Sequence, residues 1–106
     1  MPSTIVPLSS FTIDGAKGMA FGSTSSRVAL PGTPANDALV VVTNVGSLPV
    51  YVALGGNTVV AAVGTSALVL AGQQRVFALG SATYIAGIVS GSNSGQNGIL
   101  AVETGN

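Results

Sequence analysis

Glycine and proline interrupt this chain so often that they limit the secondary structure it can form. The 106 residues include 15 glycines and 5 prolines, and the longest stretch without either is residues 35–45. An isolated helix needs roughly 12–15 residues to be stable in water, and both residue types disfavour a helix interior. Valine, isoleucine and threonine, which suit a pleated surface, are frequent. The sequence therefore predicts an all-β fold.

Short apolar runs between turn residues place the strands. We predict strands at residues 19–21, 26–30, 38–43, 50–54, 58–63, 67–70, 75–79, 82–89 and 99–103. The connections are too short for helical crossovers, so we expect antiparallel pairing, with residues 67–70 beside 75–79. The apolar run at 38–43 predicts burial on both faces, and Asn97-Gly98 is a strong hairpin-turn signal. About eight to ten short strands are typical of an antiparallel β-sandwich or jelly roll.

The length suits one domain, which we divide into an N-terminal arm or edge strand (residues 1–15) and a single β-sandwich domain (residues 16–106). The arm contains the apolar residues Ile5, Val6, Leu8, Phe11 and Ile13. Its Pro7 cannot donate to a ladder, which suits an edge position. Such an arm can add a strand to a neighbour's sheet. The alternative is an ordinary first strand of its own domain.

Charge is scarce along the whole chain. Three basic and three acidic residues give a net charge of zero and a charged fraction of 6%, against about 25% in ordinary soluble domains. This composition provides no electrostatic footprint for nucleic acid or an anionic membrane. A surface with little self-repulsion tends to associate, so we expect a homo-oligomer. The alternative is a small soluble domain with an uncharged polar coat.

The composition also argues against an enzyme and against a membrane span. Cysteine and histidine are absent, which removes thiol chemistry, disulfides and the commonest metal ligand. Asp14, Asp37 and Glu103 sit beside turns or near the chain end, and we interpret them as solvated turn residues, although paired carboxylates could hydrolyse glycosides. We expect no catalytic, cofactor or metal site. Pro49 and several glycines interrupt the uncharged stretch 38–74, so no membrane helix and no secretory signal is predicted.

Two further features point to possible contacts. Arg75 stands alone in apolar surroundings, where it is either a binding hot spot or a guard against wrong pairing of an edge strand. Tyr51, Phe77 and Tyr84 are candidates for stacking on sugars, although we expect Phe77 and Tyr84 to fill the core. Our candidate interaction residues are Ile5, Val6, Leu8, Phe11, Ile13 and Arg75.

Residues 38–106 carry a recognisable order of motifs. Residues 38–55 read ALVVVTNVGSLPVYVALG, and RVF, YIAGI and GILAV follow at residues 75–77, 84–88 and 98–102. This part of the chain resembles small structural proteins of tailed bacteriophages, in which a T-N-x-G-S-x-P-V-Y-V-A-x-G hairpin precedes a strand ending Y-I-A and a final G-x-L-x-V strand. Residues 1–37 resemble no family that we can name.

The resemblance implies a virion structural protein with a small β-sandwich or jelly roll. A head-decoration or cement protein of this kind is made in the host cytoplasm and sits on the capsid surface as a homotrimer that bridges major capsid protein subunits. No catalytic residue or cofactor follows from the resemblance. Two alternatives remain open: a structural adaptor of the phage tail, neck or fibre, and a small carbohydrate-binding β-sandwich module.

Overall fold

The computed structural model describes residues 11–91 and 95–106, which form two packed antiparallel sheets. The strands are β1 (Ile13–Phe21), β2 (Ser26–Ala29), β3 (Leu39–Asn44), β4 (Val50–Gly55), β5 (Ala67–Val69), β6 (Gln74–Ala78), β7 (Tyr84–Ile88) and β8 (Gly98–Gly105). The first sheet has the order β1-β8-β3-β6 and the second β2-β7-β4-β5. This is the strand order of a jelly roll, and it confirms the prediction of an all-β sandwich.

The core lies between the two sheets and is built from alternate residues of each strand. Phe21, Val40, Ile85 and Leu100 are almost completely buried there. Because side chains alternate across a strand, the residues next to them point away from the core. Full burial of one such apolar side chain contributes about 1.5–3 kcal/mol before entropy costs.

The structure corrects several local predictions. Residues 58–63 form no strand, whereas residues 15–18, where we predicted none, belong to β1. These residues include two glycines that weaken a strand, and pairing with β8 along its length holds them extended. Burial of β3 on both faces is confirmed, because Val40 and Val42 lie in the core and Val41, which points away from it, is only 7% exposed. The predicted division at residues 15 and 16 falls within β1.

Two predicted hairpins are also absent. β5 pairs with β4 and β6 pairs with β3, in different sheets, so residues 67–70 and 75–79 are not partners. Gly72, with a φ of 78°, lies in the turn that carries the chain from one sheet to the other. β8 begins at Gly98, opposite Phe21 of β1, and lies in a different sheet from β7. Asn97-Gly98 therefore does not form a hairpin between β7 and β8. In a jelly roll, neighbours in sequence often lie in opposite sheets.

Candidate functional site: two outer sheet faces

The predicted N-terminal contact residues are only partly described. Ile5, Val6 and Leu8 lie outside the described residues. Phe11 packs close to Gly105, with its Cζ atom 3.0 Å from where a Cβ on that glycine would be. Ile13 opens β1 and is 54% exposed. The end of the proposed arm therefore lies against the C-terminal strand of its own domain, and its contacts with another molecule remain a prediction.

Arg75 forms a hydrogen bond between the two sheets at one side of the sandwich. It lies on β6, an edge of the first sheet, and its Nη1 donates to the carbonyl oxygen of Leu68 in β5, an edge of the second sheet, at 2.9 Å. Its guanidinium carbon is 5.1 Å from the centre of the Phe77 ring. The guanidinium is thus engaged within its own chain, and both roles considered for Arg75 stay predictions.

The three aromatic candidates divide between core and surface. Phe77 packs against the core, as predicted. Tyr84 does not, because Ile85 takes the buried position next to it, and this part of the prediction is wrong. Tyr51 and Tyr84 point outward from the second sheet, on neighbouring strands β4 and β7.

Asp14 and Asp37, interpreted as separate solvated turn residues, form a pair. Asp14 Oδ2 accepts hydrogen bonds from the backbone N–H and the hydroxyl of Thr33, both at 2.7 Å. The Asp37 carboxyl lies within hydrogen-bonding reach of Asp14. The Oδ2 atom of Asp37 is buried, and no donor within the described ranges reaches it. That oxygen is satisfied when it carries a proton and donates.

The pair separates the pKa values of its two carboxyl groups. The Thr33 backbone N–H, the Thr33 hydroxyl and Asp37 hold the pKa of Asp14 below its usual range. Loss of hydration and the neighbouring Asp14 raise the pKa of Asp37. Like-charged carboxyls in contact behave in this way because both cannot ionise without repulsion. No third carboxylate joins them, since the described residues contain no group of three His, Cys, Asp or Glu side chains suited to a metal ion.

We expect Asp37→Asn to stabilise the fold at pH 7 but not below about pH 4, the ordinary pKa of an aspartate. The raised pKa of Asp37 means that the folded state retains a proton that the unfolded chain releases. Stability therefore falls as the pH rises from the ordinary aspartate pKa through the raised pKa of the folded state. The amide avoids that loss and can donate to Asp14 at every pH. Thermal unfolding followed by circular dichroism at pH 4 and pH 7 measures the effect.

Asp14→Asn is the matched control for this pair. The lowered pKa of Asp14 gives stability that is present above its usual pKa and lost as the pH falls through the folded-state value. The control is therefore expected to be less stable than the wild type at pH 7. An Asp37→Asn variant no more stable than the wild type at pH 7 would contradict the shared-proton arrangement.

The outward side of the first sheet, which we call the front face, is mostly apolar. The strand registers place the following outward-pointing residues on it: Ala16, Gly18, Ala20, Leu39, Val41, Thr43, Val45, Gln74, Val76, Ala78, Ile99, Ala101 and Glu103. Val45, Val76 and Ile99 are 60%, 57% and 38% exposed. Gln74 Nε2 donates to Thr43 Oγ1 at 3.0 Å, so the two polar side chains bond to each other. The front face is thus suited to contact with protein rather than water.

Glu103 is the charged residue of the front face. It lies within β8 between Ala16 of β1 and Val41 of β3, not in a solvated turn as we predicted. The alternation of Leu100 and Val102 with Ile99 and Glu103 could have revealed this outward position. Its apolar neighbours come from distant parts of the sequence and could not be inferred.

The outward side of the second sheet is partly covered by residues 56–66. Gly55 points outward from β4, and Val59 lies 3.0 Å from where its Cβ would be. The N–H of Ala61 then donates to Ser25, next to β2, at 3.0 Å. Because β7 lies between β4 and β2, this segment crosses β7, where the outward-pointing Ala86 is completely buried. We call this side, with its covering segment, the back face.

The back face also presents apolar side chains beside one exposed cation. Val60 and Val63 of the covering segment are 64% and 45% exposed. Arg27 of β2 lies opposite Ala86 of β7 and is exposed. The two outer faces therefore have similar chemistry and opposite charges.

Other features offer little to a small ligand. A cavity of about 340 Å³ is lined by residues without ionisable side chains: Pro34, Ala35, Gly80, Ser81, Ala82 and Thr83. Across residues 11–91 and 95–106, no helix has the length and apolar character needed to span a membrane.

Comparison with known proteins identifies the fold. No protein-family model and no curated protein matches the chain. A chain from Bacillus endospore appendages, described as a novel family of disulfide-linked pili, superposes with a TM-score of 0.52 and 12% identity over 90% of this chain and 88% of its own. PirA superposes with a TM-score of 0.50 and 15% identity over 86% of this chain and 94% of its own. At these identities the likeness concerns the fold.

Proposed function

We propose that this protein is a non-enzymatic structural subunit that associates with copies of itself. The observation that carries the proposal is the front face, a four-stranded surface with exposed Val45, Val76 and Ile99 and one carboxylate. Large exposed apolar patches on soluble proteins mark interaction sites. The low charge of the whole chain leaves little repulsion between copies.

For the particular assembly, we propose decoration of a viral capsid. The resemblance of residues 38–106 to tailed-phage virion proteins supports this role, with the major capsid protein as a second partner and the capsid surface as the location. The jelly roll is compatible with it, and also with a filament, since endospore appendages contain a chain of this fold. A tail, neck or fibre adaptor is distinguished by copy number, because a decoration protein covers the shell whereas an adaptor occupies few positions on a particle.

Self-association is tested by sedimentation velocity of the full chain over a wide range of concentrations. We expect oligomers that grow with concentration, with a trimer of the 10.3 kDa chain as the capsid-decoration state. A protein that sediments as a monomer at every concentration up to the millimolar range would rule out the proposed function. The test needs no knowledge of the host or the capsid.

A further inference from the structure

We propose that copies of this chain associate front to back, with the front face of one copy on the back face of the next. This inference rests on the proposed self-association and names its two surfaces. It commits to a second copy as the occupant because the two faces of one chain complement each other.

The first argument is charge. The side chains of Glu103 on the front face and Arg27 on the back face have no hydrogen-bond or ion-pair partner within the described part of the chain. Front-to-front contact puts two Glu103 carboxylates into one interface, and back-to-back contact puts two Arg27 guanidinium groups into one interface. Contact between unlike faces gives each interface one carboxylate and one guanidinium, which avoids like-charge repulsion across it.

The remaining charged residues do not alter this pattern. Asp14 and Asp37 face each other, and Arg75 is bonded to Leu68. Lys17 of β1 is opposite the core residue Val102, so it belongs to the inner side of the first sheet and not to the front face. The front and back faces therefore differ in charge through Glu103 and Arg27.

The second argument is the match of apolar surface. Val45, Val76 and Ile99 are exposed on the front face, and Val60 and Val63 on the back face. On the front face, the side chains of Gln74 and Thr43 are hydrogen-bonded to each other, so a second copy can bury them with a small desolvation penalty. Burial of apolar side chains on both partners drives association, and the charge pair sets the orientation.

Such an interface uses two different surfaces of one chain. Contacts of this kind form a ring when the rotation between copies closes, and an open stack when it does not. Because the front and back faces lie on opposite sides of the sandwich, face-on contact gives an open stack, which is a filament. A closed ring of three, the trimer expected of a capsid decoration protein, needs a strong tilt between successive copies. Both outcomes share the same front-to-back contact.

Charge-reversed variants test the arrangement. Glu103→Lys gives two positive faces and Arg27→Glu gives two negative faces, so each variant alone is expected to associate at least about tenfold more weakly than the wild type. An equal mixture of the two variants is expected to form complexes that neither forms alone. The double variant, with its charges exchanged, is expected to recover the wild-type oligomer. Lys17→Glu, with the same net charge as Arg27→Glu but outside both faces, should associate like the wild type.

Sedimentation velocity measures association, and circular dichroism melting shows that each variant is folded. Recovery in the mixture cannot come from a misfolded variant. Either single variant associating as strongly as the wild type, or a double variant that does not recover the wild-type oligomer, would overturn front-to-back contact. An Arg27→Glu variant that associates like the wild type, together with a weakened Glu103→Lys variant, would instead show front-to-front contact. A monomeric wild type would refute the proposed function itself, and so the two failures are distinct.

Discussion

Replacing Asn44 by leucine is expected to lower the free energy of unfolding by at least about 3 kcal/mol, since one buried and two partly buried backbone groups lose their partners at about 1–3 kcal/mol each. The side chain is 1% exposed. Its Nδ2 donates to the carbonyl oxygens of Leu48 and Val69 at 2.7 and 3.0 Å, and its Oδ1 accepts from the N–H of Gly46 at 3.0 Å. Asn44 ends β3 of the first sheet, whereas Val69 belongs to β5 of the second. The amide therefore joins the two sheets through the interior.

Urea denaturation followed by far-ultraviolet circular dichroism measures this loss. Thr43→Val, one position earlier on β3, is the control because Thr43 points to the front face and its partner Gln74 is exposed. We expect the control to change stability by less than about 1 kcal/mol. An Asn44→Leu variant as stable as this control would show that the three bonds of the Asn44 amide do not stabilise the packing of the two sheets.

A single methyl group added at Gly87 is expected to destabilise the fold by about 3 kcal/mol, at the upper end of typical overpacking costs. The Cβ of an alanine there would lie 2.5, 2.6 and 2.8 Å from three carbon atoms of the Phe21 ring. Phe21 is 1% exposed and has no room to retreat. Gly87 is also paired with β2 on one side and β4 on the other, which holds its backbone in place.

Gly18→Ala is the control for this substitution, because no atom lies within 4 Å of where its Cβ would be. We expect it to leave stability unchanged or to raise it by about 0.4–1 kcal/mol, through the lower entropy of the unfolded chain. Phe21→Leu combined with Gly87→Ala should recover part of the loss, since the smaller side chain leaves space for the methyl group. Equal stability of Gly18→Ala and Gly87→Ala in thermal unfolding would contradict the contact.

Asn44 shows how much of a residue's role can be predicted from the sequence. The order Asn44-Val45-Gly46 between two strands is typical of a turn, and Asn44 Oδ1 does accept from the N–H of Gly46 there. Its bond to Val69, 25 residues later, depends on the packing of one sheet on the other. The same holds for Asp14 and Thr33, which lie 19 residues apart and meet at one end of the sandwich.

The all-β class followed from the sequence alone, because closely spaced glycine and proline residues disfavour helices locally. The weak electrostatic repulsion between copies followed as well, because it depends on the charge of the whole chain. The partners of each strand were decided by the tertiary structure. β5 and β6, close in sequence, belong to opposite sheets, whereas β1 and β8, from opposite ends of the described chain, lie side by side. The front face with Glu103 and the back face with Arg27 arise in the same way. An outward position follows from a strand's period of two, but a surface forms only when distant strands pair.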